Sequence, residues 1–168
     1  ALQIINRDWE NWKDRSVAST RVTRPRPGHA DLAGAMKYGT RDVREILERS
    51  SARETVARVA VGAVCKKLLA EAGMRVYSRT VSIGSVTDPS ANEPFDPKHA
   101  AAIEASSTRT RDRQAEQGMI ALIDEAKKRG DSLGGVFEVI VTGVPPGLGS
   151  QVHYDRKLDG RLAQAVMS

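Results

Sequence analysis

The clearest pattern of hydrophobic and polar positions covers residues 51–72 and predicts a long helix. Apolar residues recur there at helical spacing, at Val56, Val59, Ala60, Ala63, Val64 and Leu68. Ser51 and Glu54 have the spacing of a capping box, and Gly73 supplies a C-terminal stop. Alanine and glycine on the apolar face allow another element to approach closely. We therefore predict that this helix is the core of the fold.

Shorter patterns predict the remaining elements on either side of this helix. The chain opens with a strand-like apolar run, ALQII, which is followed by a loop. The other predictions are a loop over 7–28, a helix over 31–38 closed by Gly39, a turn over 42–48, a strand over 74–86 with a glycine interruption, a polar loop over 87–99, a helix over 113–128, a strand over 134–144 and a terminal amphipathic helix. This order fits either an α+β or an α/β fold, and the pattern alone does not decide between them.

Composition indicates one globular domain over residues 1–168. The 168 residues are 40% hydrophobic and 28% charged, which is ordinary for a soluble protein. No run approaches the roughly 20 apolar residues of a membrane span, and we expect neither a membrane segment nor a signal peptide. The single cysteine, Cys65, can form no internal disulfide, which favours the cytoplasm. Its place in the helical apolar pattern favours a small core residue over a nucleophile.

The net charge of +5 indicates an anionic partner. Aromatic residues are only 4% of the chain, too few for the stacking platforms of single-strand binders. Small phosphorylated molecules are therefore favoured over nucleic acids. A basic nucleic-acid-binding module remains the alternative, because the run TRVTRPRP is strongly positive.

A candidate anion site lies in ERSSARET, residues 48–55, at the start of the long helix. Arg49 and Arg53 flank two serines there. The first turn of a helix presents unpaired N–H groups and positive dipole charge, and guanidinium groups suit phosphate or carboxylate. The same serine and glutamate would also make an ordinary capping box. Both interpretations remain open on this stretch alone.

A candidate proton-transfer residue lies in RPRPGHADLAGAMKYG, residues 24–39. A Pro-Gly bend holds His29 close to Arg24 and Arg26. Imidazole is the side chain best suited to proton exchange near neutral pH. The alternative is that His29 only caps the following helix. His99 and His153 lack such neighbours, and we expect both at the surface.

Several other chemistries find no support in the sequence. It contains no CxxC pair and no HExxH, so we expect no metal site. It also contains no GxSxG, GxxxxGK[ST] or GxGxxG motif.

Five stretches of the sequence resemble the chorismate synthase family in order and spacing. They are RPGHADLAGAMKYG, RSSARETVARVAVGA, RGDSLGG, GVPPGLGS and DRKLDGRLAQAVMS. The resemblance implies an α+β fold, with long core helices packed with antiparallel sheets and assembled as a homotetramer. It implies a lyase that ends the shikimate pathway, eliminating phosphate from 5-enolpyruvylshikimate 3-phosphate to give chorismate. Reduced FMN is the implied cofactor, and some members also use NADPH to reduce it.

The resemblance also implies roles for individual residues. His29 matches the histidine that transfers a proton at the reduced flavin, and Arg26 matches a substrate-binding arginine. The residues that match FMN contacts are Arg49, Ser50 and Ser51. The residues that match positions lining the substrate are Ser51, Ala52 and Arg53.

By the same resemblance, the chain corresponds to a central segment of a little under half of a family member. The family's Ser-His-Gly histidine, an arginine cluster and a C-terminal aspartate have no match in it. We expect that the chain alone does not turn over and that some of its apolar helix faces are uncovered. A third hypothesis is an assembly domain that carries an oligomer interface without a competent site.

Overall fold

The structure, a computed structural model, describes residues 2–15, 20–50 and 52–168. The chain groups into two compact units, Ala1–Lys67 and Leu68–Ser168. Six α-helices and one three-stranded antiparallel sheet form within the described residues. Helices beside an antiparallel sheet confirm the α+β class and exclude the α/β alternative. That residues 1–168 form a single domain stays a prediction.

The first unit contains the helices α1 (Asp31–Tyr38) and α2 (Arg44–Arg49). α1 has the predicted bounds, because Gly39 takes the left-handed conformation (φ 63°) that ends a helix. The short turn predicted over 42–48 is the helix α2. The two helices approach closely at Gly34, where a Cβ atom would lie only 2.6 Å from Cγ2 of Ile46.

The opening stretch of the chain forms no strand, so the prediction for ALQII is wrong for its described residues. Residues 2–6 have no hydrogen-bonded strand beside them among the described residues. An apolar run becomes a strand only where a neighbouring strand accepts its hydrogen bonds. A 3₁₀ turn, Trp9–Asn11, follows.

α3 (Ala52–Glu71) is the long helix that the apolar pattern predicts, but it is not a core helix in this chain. None of its side chains over 53–71 is buried, and Val59 is 67% and Leu68 72% exposed. Cys65 is also exposed, so its prediction as a core residue is wrong. A periodic apolar pattern predicts a helix with an apolar face. It does not predict which element packs against that face, or whether that element belongs to the same chain. The predicted capping box involves Ser51, which lies outside the described residues.

The sheet of the second unit has the order β2-β1-β3 and is antiparallel throughout. Its strands are β1 (Arg75–Ile83), β2 (Val86–Thr87) and β3 (Gly135–Thr142). Gly84, at φ 57°, forms the tight turn between β1 and β2. The glycine interruption predicted within 74–86 is therefore the turn of a hairpin.

Two helices complete the core of the second unit. α5 (Arg113–Arg129) is capped at its N-terminus by Asp112, whose carboxylate accepts a hydrogen bond from the Ala115 amide at 2.7 Å. α4 (Ala100–Ala105) lies in a stretch for which the sequence predicted no element. The buried apolar residues of this unit are Ile103, Ala115, Met119 and Ala126.

Much apolar surface outside this small core is exposed. Phe137 on β3 is 69% exposed, and Leu162 on α6 (Leu158–Met167) is 57% exposed. Together with α3, this confirms the expectation that apolar helix faces are uncovered. Within the described residues, no helix combines the length and apolar composition that crossing a membrane requires.

Candidate functional site

The RPGHAD turn brings Arg26, His29 and Asp31 into one hydrogen-bonded cluster. Gly28 takes a left-handed conformation (φ 65°), which a residue with a side chain rarely adopts, and so the chain reverses just before α1. Asp31 is the first residue of α1 and is fully buried. Arg26 donates to it three times: Nε to Oδ2 at 2.9 Å, Nη2 to Oδ1 at 2.9 Å, and the backbone N to Oδ2 at 3.0 Å.

The ring of His29 is held from its Nδ1 side. Nδ1 lies 3.0 Å from Nη2 of Arg26 and 3.0 Å from the backbone N of Ala30. Guanidinium and amide N–H groups can only donate, so Nδ1 must accept. Neutral His29 therefore carries its proton on Nε2, and Nε2 is the nitrogen left for proton exchange. The side chain is 34% exposed, which leaves the ring within reach of solvent or ligand.

The electrostatics of this cluster are dominated by the Arg26–Asp31 pair. Hydrogen bonds from the Arg26 side chain and backbone hold the pKa of Asp31 far below its ordinary value. The same pair raises the pKa of Arg26. Asp31 is therefore a carboxylate at neutral pH. The sequence interpretation did not single out Asp31. The signal was present in the RPGHAD motif, as an aspartate at the first helical position after a Pro-Gly bend.

The guanidinium of Arg26 is already paired within the protein, unlike that of a free substrate-binding arginine. Its Nε faces Asp31, and its Nη2 faces both Asp31 and His29. The side chain is 37% exposed, so part of it remains accessible. Its substrate contact stays a prediction.

The predicted flavin-contacting residues lie between the end of α2 and the start of α3. Arg49 is the last residue of α2 and is exposed. Ser50 is its C-cap, and the Ser50 Oγ donates to the Ile46 carbonyl at 2.5 Å. Ser51 lies outside the described residues. Ala52 is the first residue of α3.

Arg53 shares the carboxylate of Glu48 with another arginine. Arg53 forms an ion pair with Glu48. Arg44 Nε lies 3.1 Å from Oε1 of the same glutamate. These three residues belong to a groove of about 620 Å³ between α2 and the start of α3. It is lined by Arg44, Glu45, Glu48, Arg49, Arg53 and Glu54. Three arginines and three glutamates line it, and Glu48 is paired with two of the arginines, so an anion entering the groove must compete with Glu48 for them. The sequence interpretation missed Glu48, although its (i, i+4) spacing from Arg44 is a recognised ion-pair signal.

Trp12 fixes one of these arginines in place. Its ring lies under the guanidinium of Arg44, 4.3 Å from the centroid, and Arg15 lies 4.7 Å from the same centroid. The indole Nε1 of Trp12 donates to Asp8. An arginine stacked on an aromatic ring keeps its orientation at little further entropic cost, so Arg44 is preorganised in the groove.

The two clusters suit different chemistry. The His29 cluster can exchange a proton at Nε2, and the groove can hold an anion at Arg49, Arg44 and Arg53. In the part of the chain that the structure describes, no three acidic, histidine or cysteine side chains converge on a metal position.

Comparisons with known proteins identify the family of this chain. The family model described as chorismate synthase matches residues 1–168. Among curated relatives, the chorismate synthase of Syntrophotalea carbinolica is 55% identical over 99% of this chain and 45% of its own length. That of Aquifex aeolicus is 51% identical over 100% of this chain and 46% of its own length. The resemblance drawn from the motifs is confirmed.

A solved structure gives the same result for the fold. A crystal structure of chorismate synthase superimposes with a TM-score of 0.75 and 48% identity, over 82% of this chain and 43% of that one. The chain therefore spans a little under half the length of the relatives that it matches.

Proposed function

This chain belongs to the chorismate synthase family, and we propose that it acts in the conversion of 5-enolpyruvylshikimate 3-phosphate to chorismate. The reaction is a 1,4-anti elimination of phosphate and a ring hydrogen, which is carbon–oxygen lyase chemistry. The proposal includes reduced FMN as cofactor, NADPH as its reductant in some family members, a cytoplasmic homotetramer and a small-molecule substrate. The observation that carries it is the family match over all of residues 1–168.

Two properties of the groove at the start of α3 fit an anionic flavin or substrate. It contains three guanidinium groups, and two of its lining residues, Arg53 and Glu54, belong to the first turn of the 20-residue helix α3. We propose that Arg49, Ser50 and Ser51 hold FMN and that Ser51, Ala52 and Arg53 line the substrate. The elimination has no net redox change, so reduced FMN, when bound, supplies a reduced ring that is not consumed.

Proton transfer is assigned to His29. Its Nδ1 accepts hydrogen bonds from Arg26 and Ala30, so its Nε2 is the position at which a proton is delivered or taken up. We propose that Arg26 contributes to substrate binding through the part of its side chain that remains accessible. Its charge is shared with Asp31, so its attraction for a substrate anion is weaker than that of an unpaired arginine.

We expect this chain alone to be inactive. The histidine of the family's Ser-His-Gly motif and the aspartate implicated in ring deprotonation are not among its 168 residues. Loss of one acid–base partner lowers a rate by about 10²–10⁴-fold.

The test replaces the matched segment of the Syntrophotalea carbinolica relative with residues 1–168, which are 55% identical to it. Chorismate formation is then measured with reduced FMN and the phosphorylated substrate. We expect turnover by this chimera and a loss of about 10²-fold or more in His29→Ala. His153→Ala is the matched control, since His153 is exposed and lies outside both clusters. A folded, FMN-binding chimera without turnover would overturn the proposal, and so would an unaffected His29→Ala variant.

A further inference from the structure

We propose that Asp31 is a positioning residue, which fixes the tautomer and orientation of His29 by holding the Arg26 guanidinium. The inference about the tautomer stands on the geometry of the RPGHAD turn alone. Its consequence for catalysis rests on the proposed function.

The first step is the immobilisation of Arg26 by Asp31. A carboxylate with no exposed surface must be paired to be tolerated, and Arg26 supplies three donors to it. Two parallel side-chain bonds define the plane of the guanidinium, and the bond from the Arg26 amide fixes the backbone next to it. Arg26 therefore has little freedom to turn toward another acceptor.

A single nitrogen of Arg26, Nη2, connects Asp31 to His29, and we call this connection the relay. Nη2 of Arg26 is 2.9 Å from Oδ1 of Asp31 and 3.0 Å from Nδ1 of His29. This nitrogen carries two hydrogens, one for each acceptor. With its first hydrogen committed to Asp31, the second is directed at the imidazole. Nδ1 of His29 is thereby kept as an acceptor.

A competing arrangement would join His29 directly to Asp31. Nδ1 lies 3.4 Å from Oδ1 of Asp31, so an Nδ1–H group could in principle donate to the carboxylate. That distance is beyond the usual range of an N–H···O hydrogen bond, and Arg26 Nη2 and the Ala30 amide are both closer to Nδ1. A hydrogen on Nδ1 would point toward the N–H groups of Arg26 and Ala30, which are donors and cannot accept it. The geometry therefore favours the relay and the Nε2–H tautomer.

The experiment measures the tautomer in the ¹⁵N-labelled chain by two-bond ¹H–¹⁵N correlation of the imidazoles, at a pH where they are neutral. His99→Gln and His153→Gln assign the three ring signals. We expect a single Nε2–H tautomer for His29 in the unsubstituted chain. Asp31→Asn keeps the shape of the side chain but loses its charge, and we expect an added Nδ1–H population. Asp42→Asn is the matched control, because that carboxylate accepts from the amides of Val22 and Arg44 and lies outside the cluster.

Arg26→Lys provides a second variant if Asp31→Asn fails to fold. It retains the positive charge beside Asp31 but lacks the fork that bridges to His29, so the mixed tautomer is expected there as well. An Nδ1–H tautomer in the unsubstituted chain would overturn the proposal. So would an unmixed Nε2–H signal in a folded Asp31→Asn or Arg26→Lys variant.

Kinetics in the chimera test the consequence separately. We expect Asp31→Asn to lower kcat by about 10-fold or more with a smaller change in KM, because orientation of a proton donor acts on the chemical step. A change confined to KM would overturn the positioning role in catalysis. An inactive chimera would count against the proposed function, while the tautomer measurement would still decide the relay.

Discussion

Arg79 and Glu138 lie opposite each other on β1 and β3, and Arg79 Nε donates to Glu138 Oε2 at 2.7 Å. The other nitrogens of the same guanidinium bind the loop that follows β2. Nη1 donates to the carbonyls of Ser90 at 3.3 Å and Glu93 at 3.1 Å, and Nη2 donates to that of Ala91 at 3.0 Å. One largely buried arginine thus attaches this loop to the sheet.

Substitution of Arg79 by lysine should destabilise the second unit. Lysine keeps the charge but cannot reach Glu138 and three carbonyls at once, so buried carbonyls lose their donors. We expect the free energy of unfolding to fall by about 2 kcal/mol and amides over 88–93 to exchange faster. Urea unfolding and hydrogen exchange measure the two effects. Arg75→Lys, on the exposed end of the same strand, should change neither. Equal stability of the two variants would contradict the role given to Arg79.

Glu48→Gln should strengthen anion binding in the groove between α2 and α3. Glu48 holds both Arg44 and Arg53, so an incoming phosphate competes with an internal carboxylate. Arg53 is 62% exposed, and an exposed ion pair is worth up to about 1 kcal/mol. We therefore expect roughly two- to fivefold tighter binding of FMN, or of inorganic phosphate, in a fluorescence or calorimetric titration.

The matched control for this titration is Glu45→Gln. Glu45 lines the same groove on the same helix, but the ion pairs found among the described residues do not involve it. The two substitutions change the net charge equally, so a difference between them isolates the release of the arginines. Equal gains in affinity would mean that only net charge matters.

Two glycines in helices should respond oppositely to alanine. Gly34→Ala would bring a methyl group within 2.6 Å of Ile46 Cγ2, and overpacking of this kind costs about 1–3 kcal/mol. Gly62 lies within α3 with nothing within 4 Å of the same position, so alanine there should add up to about 1 kcal/mol of helix propensity. Thermal unfolding followed by circular dichroism compares the two. Destabilisation by Gly62→Ala would show that α3 is covered in solution.

Local signals in the sequence predict individual elements well. The bounds of α1 follow from a left-handed glycine, and those of α5 from the Asp112 cap and the Gly130 terminator, because each signal acts within one turn. The core position of α3 could not be predicted this way, since burial depends on what packs against a helix. The same reason accounts for the exposure of Cys65.

The candidate site was predictable in its residue types but not in its pairing. The RPGHAD and RSSARET motifs indicate His29 and the arginines, since imidazole and guanidinium have characteristic chemistry. They do not show that Asp31 and Glu48 already hold two of those arginines. Such pairing depends on how a turn or two adjacent helices orient long side chains. No single spacing encodes that orientation.

Acid should lower the free energy of unfolding of the first unit, and protonation of Asp31 should be part of the cause. Hydrogen bonds from Arg26 lower its folded pKa below the ordinary value of 3.8, so the unfolded chain binds the proton more readily. The stabilisation is therefore fully present above about pH 4 and is lost as the pH falls through the depressed folded value. Asp31→Asn lacks this contribution at every pH.

Urea unfolding at about pH 7, 4 and 2 measures this dependence for the chain and for Asp31→Asn. We expect the variant to be less stable at neutral pH and the difference to narrow at the lowest pH. Asp42 is the comparison, because its pKa is also lowered, with amide hydrogen bonds from Val22 and Arg44 as the main cause. Salt should change the Asp31 contribution little, because the carboxylate is fully buried and buried ion pairs are screened much less than exposed ones. A stability difference for Asp31→Asn that stays constant from neutral to acidic pH would show that the native carboxylate is not held ionised by Arg26.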